Sequence, residues 1–276
     1  MAVLCWMAVK LALLMSAGNC LAAVVDQNQL VGIVDDIVNR YRPSYKNPDG
    51  SQTFPMFSLA VSIPYNNTMK KYDVNQVLDN AEQVRNTIVN CDVYRGTRVV
   101  AATLLKWPNV LNQCPSGLVS WRHVLRQCPS VVTWDDLQRV CPVAIRDGTT
   151  DHAEYRTLQH FNTLVNNRDK DDLLLFYVYA SPCAARCTNE NNTRNILNLI
   201  KPIQNWQNYA FVFSKVFKPR QGDPMLVEDL KGALMQLGTS IGLDNIFRCD
   251  RVRGWTGCTI CSSRGQITPQ CLSDEP

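Results

Sequence analysis

Apolar positions recur at helical spacing soon after residue 24. Leu30, Ile33, Val34, Ile37, Val38 and Tyr41 share one face, which predicts an amphipathic helix over 24–41. Pro43 and the run Asn47-Pro48-Asp49-Gly50 end it. MFSLAVSIPY (56–65) reads as a strand, YDVNQVLDNAEQVRNTIVN (72–90) as a helix, and TRVVAATLL (97–105) as a second strand. A helix is expected over 151–166, with Leu158, Phe161 and Val165 on one side. DLLLFYVYA (172–180) is almost unbroken in its apolarity, as a strand buried on both faces should be. Ser181-Pro182 couples a good N-cap to a proline at the first helical position, so a helix is expected to start there and run through NILNLIKPI. NYAFVFSKVF (208–217) is the next strand, MLVEDLKGALMQLG (225–238) a helix, and a short strand follows at about 245–248. The alternation predicts an α/β fold with a mixed central sheet of about five strands covered by helices. A helix joining the last two strands is a crossover connection, so those strands should be parallel.

Between 107 and 147 the pattern changes to a repeat. WPNVLNQCPSGLVS, WRHVLRQCPSVVT and WDDLQRVCPVAIRD begin at Trp107, Trp121 and Trp134, and each carries Cys-Pro seven residues on, at Cys114, Cys128 and Cys141. A large apolar surface and a covalent staple per copy suggest a disulfide-rich insertion. Three cysteines cannot all pair among themselves, and Cys91 is the nearest outside partner. Trp206 and Trp255 are expected in the core, and His123 and His160 at the surface.

The N-terminus is set apart by composition. MAVLCWMAVKLALLMSAGNCLAA has an apolar run broken only by Lys10 and then small residues, so residues 1–22 read as a secretory signal peptide cut after Ala22. It is short for a membrane span, and no later segment is apolar enough to make one, so a secreted, extracellular chain without a membrane span is expected. Cys5 and Cys20 leave with it, and the sequons at Asn66 and Asn191 become candidate glycosylation sites. In an oxidising compartment Cys91, Cys114, Cys128 and Cys141 are disulfide candidates. So are Cys249, Cys258, Cys261 and Cys271 of a cysteine-rich tail over 249–276. Connectivity stays open. The full chain has 28 basic and 24 acidic residues, a net charge of +4, which is no nucleic-acid-binding balance by itself.

That leaves Cys183 and Cys187. They lie in Ser181-Pro182-Cys183-Ala184-Ala185-Arg186-Cys187, downstream of His152-Ala153-Glu154 and separated from it by the buried strand. If both segments open at the same edge of the sheet, one imidazole and two thiolates converge. That donor set suits Zn²⁺ and leaves a fourth position for water. Zinc makes hydroxide available near neutral pH. Glu154, not a ligand in this scheme, would take the water's proton and pass it to the substrate's ring nitrogen and leaving amine.

H-x-E followed by P-C-x-x-C is the signature of base deaminases. Through His152, Glu154, Pro182, Cys183 and Cys187 the chain resembles the zinc-dependent cytidine deaminase superfamily. The 27 residues between Glu154 and Pro182, and the S-P-C at 181–183, resemble its AID/APOBEC branch. The predicted parallel strand pair points the same way. The resemblance implies a three-layer cytidine-deaminase-like domain over 23–248, interrupted by the insertion. It makes His152, Cys183 and Cys187 the metal ligands and Glu154 the proton shuttle. It places Ala180, Ser181, Phe217, Lys218 and Arg220 against the substrate, where a basic loop with an aromatic residue could hold a single strand. Three residues separate the cysteines where two are commoner, and Ala180 stands where the branch carries tryptophan. The function implied is a secreted zinc-dependent deaminase acting on cytosine in a nucleoside, nucleotide or single-stranded nucleic acid. The alternative is a secreted, disulfide-rich binding or defence protein that retains the zinc fold without catalysis.

Overall fold

β-Branched and aromatic runs collapse into one twisted sheet because they bury both of their faces. The structure, a computed structural model, describes residues 25–47, 49–167, 169–218, 226–252 and 254–274. The expected signal peptide and Arg220 lie outside the described residues. Helix α1 (Gln27–Tyr41) is capped by the Asp26 carboxylate and buries Leu30, Ile33, Val34, Ile37 and Tyr41. Strand β1 (Phe57–Ile63), helix α2 (Ala81–Val89), edge strand β2 (Tyr94–Arg95) and strand β3 (Val99–Thr103) complete the first half.

The insertion contributes helices α3 (Val110–Gln113), α4 (Arg122–Gln127) and α5 (Trp134–Val140). Its repeat now has a physical reading. Each helix ends at the cysteine of its copy, whose N–H donates to the carbonyl four residues back. The proline that follows has no N–H and cannot extend the helix. Trp107, Trp121 and Trp134 are buried in a small core separate from the two main ones. Cys91–Cys114 fastens this unit to the turn after α2, and Cys128–Cys141 closes its second half.

Helices α6 (Ala153–Leu158) and α7 (Asn162–Asn166), strands β4 (Leu173–Ala180) and β5 (Asn208–Lys215), helix α8 (Val227–Ile241) and strands β6 (Ile246–Val252) and β7 (Trp255–Ile260) form the second half. The sheet order is β7-β6-β5-β4-β1-β3-β2, seven strands where about five were expected. The added strands are the edges, β2 and β7. Strands β4, β5 and β6 run parallel, as the helical crossover implied, and the remaining pairs are antiparallel. Alternation along β4 sends Leu173, Leu175 and Tyr177 to the α1/α2 side. Leu174, Phe176 and Val178 go to the side of α6, α7 and α8. The result is three layers. The tail joins the sheet through β7, where Cys249 faces its disulfide partner Cys258, and Cys261–Cys271 follows. No helix among the described residues is long and apolar enough to cross a membrane.

Several elements differ from expectation. Of 72–90 only Ala81–Val89 is α-helical. Asp73 and Asn80 each take a backbone N–H onto their side chain and start a new turn, so one helix cannot pass through both. The expected helix over 151–166 is two helices, joined by tight turns in which His160 and Phe161 donate three residues back. The helix expected from Ser181 is absent, and residues 184–187 form turns instead. Asn189, Asn192 and Asn195 each accept from the backbone N–H two residues on, which competes with helical pairing. Trp206 is buried, but Trp255, on the outer strand, is 83% exposed. His123 and His160 are half-buried.

Candidate active site

His152 is the N-cap residue of α6, and its side chain makes no capping bond. It turns instead towards the segment after β4. Its Nδ1 lies 3.1 Å from Cys187 Sγ and 3.6 Å from Cys183 Sγ, and the two sulfurs are 3.4 Å apart. These are the free cysteines among the described residues, and both are buried. The other eight are bonded in four disulfides, which resolves the open connectivity. Glu154, in the first turn of α6, is buried with Oε1 4.0 Å from Cys187 Sγ.

The segment carrying the cysteines is held to Thr150 and Asp151, just before His152, by two arginines. Arg186 and Arg194 each donate to the Thr150 carbonyl at 3.2 Å, and Arg194 pairs with Asp151. Arg156 is the other unforeseen residue. It is buried, and its guanidinium donates to the carbonyls of Thr103 (2.6 Å) and Cys91 (2.5 Å). Burial lowers its pKa to about 10, so it remains a cation at neutral pH. Neither arginine role has a sequence signature, because the acceptors are backbone carbonyls distant in the chain.

The donor atoms fit a tetrahedral metal. Zinc–sulfur bonds of about 2.3 Å and zinc–nitrogen bonds of about 2.0–2.1 Å would separate two sulfurs by about 3.8 Å and sulfur from nitrogen by about 3.5 Å. The observed separations lie within a few tenths of these, and all three ligand atoms fall within 4.8 Å of one another. Electrostatics favour a thiolate here. A hydrogen bond from Cys187 outweighs burial, and His152 adds to it, lowering Cys183 to about 4. Cys187, which keeps the shared proton, is correspondingly raised. Burial alone would lower His152, but the Cys183 thiolate raises it on balance. Burial raises Glu154. No helix starts at the cysteines, so no helix N-terminus adds to this effect.

Ala180, Ser181 and Phe217 line a pocket with His152, Glu154 and Cys183. Ser181 Oγ accepts from the Phe217 N–H at 2.9 Å, tying the loop after β5 to the end of β4. Met56, Leu104 and Tyr179 also line it and were not foreseen. Lys218 is exposed and pairs with Asp274 at 3.3 Å, and Lys215 pairs with Asp250. Both of these lysines are therefore compensated by carboxylates.

A model of the family described as Secreted Novel AID/APOBEC-like Deaminase 1 (SNAD1) matches residues 129–275. That span holds α6, the cysteine turn, the parallel strands and the tail. Comparison with curated proteins and with solved structures returns no match. With more than half of its length matched, and with a histidine, a glutamate and two cysteines gathered at one sheet edge, the chain belongs to the SNAD1 family of secreted AID/APOBEC-like deaminases.

Proposed function

We propose that the chain hydrolyses the exocyclic amine of cytosine, presented in a nucleoside, a nucleotide or a single-stranded nucleic acid. His152, Cys183 and Cys187 hold one Zn²⁺. Glu154 carries the reading: a structural metal site has no use for a buried carboxylate beside its donors. When bound, zinc supplies the Lewis acidity that makes a water deprotonate near neutral pH. Glu154, its pKa raised by burial, takes up a proton readily and gives it back at the substrate's ring nitrogen and amine. Ala180, Ser181 and Phe217 form the wall a base would meet, and Ser181 holds that wall by its bond to Phe217. Lys218, exposed beyond that wall, and Arg220, further along the sequence, are assigned as contacts to a flanking phosphate.

The four disulfides and the family description support secretion, with residues 1–22 as the signal. Asn191, exposed on a turn, is the better glycosylation acceptor. Asn66 is half-buried and its side-chain oxygen accepts from Thr68 and Met69. One observation favours the binding-protein alternative: the pocket beside Glu154 has a volume of about 10 Å³, room for about one water and not for a ring.

The test is zinc content and uracil formation from cytidine, deoxycytidine, single-stranded DNA and RNA by the secreted chain. About one zinc per chain is expected. Glu154→Gln should keep the zinc and lower turnover by about 10²–10⁴-fold. A zinc-loaded parent as inactive as Glu154→Gln on all four substrates would overturn catalysis and leave the binding role.

A further inference from the structure

On the opposite face of the sheet, between α1 and the ends of β4, β5 and β6, lies a second and larger cavity of about 230 Å³. Its floor is aromatic. Phe57 and Tyr177 pack with ring centroids 5.5 Å apart, and Tyr179 extends the surface. The Tyr177 hydroxyl, bonded to Ser214 Oγ at 2.8 Å, supplies a polar group at the base. Burial pushes its pKa up to about 12, so it stays a neutral donor and acceptor.

The charges around this cavity are unevenly satisfied. Asp250 pairs with Lys215 and Arg248. Asp35 accepts from Thr256 Oγ1 at 2.8 Å and from Asn39 at 3.3 Å. Arg42 and Arg251, both exposed, form no ion pair among the described residues. Arg42 lies over the Phe54 ring at 4.1 Å, and the Arg251 guanidinium donates to the Gly254 carbonyl at 3.4 Å. The lining residues Arg42, Lys215 and Arg251 against Asp35 and Asp250 leave one surplus positive charge. The volume lies below the roughly 300–1,000 Å³ of pockets for drug-sized ligands, so the fitting molecule is small. An aromatic floor favours a planar ring, and guanidinium groups at the rim favour an anion.

We propose that this cavity is a second ligand site, separate from the zinc site, that takes a small planar anion: one ring bearing a carboxylate or phosphate. Phe57 and Tyr179 line both cavities, so one wall is common to the two sites. The proposal does not depend on deamination.

The experiment is calorimetric titration of the zinc-loaded secreted chain with benzoate, cytidine 5′-monophosphate, inorganic phosphate and uncharged cytidine. Parallel titrations use Glu154→Gln, Val38→Trp and the double variant Arg42→Ala/Arg251→Ala. One or both ring-bearing anions should bind, equally well in Glu154→Gln. Benzoate alone would identify the ligand class as an aromatic carboxylate, and the nucleotide alone as a nucleoside phosphate. The double variant should weaken binding about tenfold or more. Val38→Trp, which fills the cavity from α1, should abolish it with zinc content unchanged. The proposal is overturned if neither ring-bearing anion binds, if phosphate binds as tightly, if cytidine binding as tight is lost with Val38→Trp, or if anion binding survives Val38→Trp. Should Val38→Trp fail to fold, unaltered binding by the exposed double arginine variant overturns it.

Discussion

Arg156→Ala tests how helix α6 is anchored. Arg156 lies two residues beyond Glu154 and bonds α6 to the end of β3 and to the Cys91 turn at the foot of the insertion. Hydrogen bonds to a charged donor contribute about 1.5–3 kcal/mol each, so two give about 3–6 kcal/mol gross. Against this stands the cost of burying the cation. The lowering of its pKa from 12.5 to about 10 corresponds to roughly 3 kcal/mol against the charged form. The native arginine therefore nets little. Truncation is another matter, since it strips two buried carbonyls of their donor and leaves a void. That change should cost about 3–5 kcal/mol. Arg156→Met refills the space without a charge and should cost clearly less. At about 2–4 °C per kcal/mol for a chain of this size, Arg156→Ala should melt about 10 °C below the parent. Thermal unfolding by circular dichroism, without reductant, measures it. An Arg156→Ala midpoint within about 2 °C of the parent, or one equal to that of Arg156→Met, refutes the reasoning.

Removing zinc with a chelator should lower the melting temperature, and re-addition should restore it. In the chelated sample, alkylation mapped by mass spectrometry should mark Cys183 and Cys187 and spare the eight bonded cysteines. Replacing Cys128 and Cys141 by alanine opens a loop of 13 residues and should cost about 3 kcal/mol. Local proteolysis should rise within the insertion while zinc content holds. Ser181→Ala frees the Phe217 N–H; the lost bond, worth about 1 kcal/mol, should raise KM about fivefold with little change in kcat. An unchanged KM would separate that loop from substrate binding.

Periodicity and local chemistry made the strands legible. The apolar run 172–180 had to be a central strand, and a helix between two strands had to make them parallel. The cluster of His152, Cys183 and Cys187 was legible as a set because their spacing resembles a signature. The route by which they meet was not. Ser181-Pro182 is a sound helix start, yet three asparagines downstream satisfy the backbone locally and hold it in turns. Arg186, Arg194 and Arg156 act on carbonyls far away in sequence, so no pattern around them announces the role. Trp255 misled for a related reason. Its size argues for burial, but its strand closes one edge of the sheet, where alternate side chains face water. Cysteine pairing needed the fold, because adjacency in space decided it.

Among the described residues eight cysteine sulfurs are bonded in pairs, and two that lie only 3.4 Å apart are not. Any surroundings oxidising enough to form the four bridges also act on those two. Capture of the proposed zinc and sulfur oxidation would draw on the same atoms, so whichever came first would exclude the other. Two otherwise identical populations of this chain would differ only in the order of events while they folded. If the proposed zinc is needed for competence, its yield becomes a matter of timing, set by when the ion reaches the nascent fold.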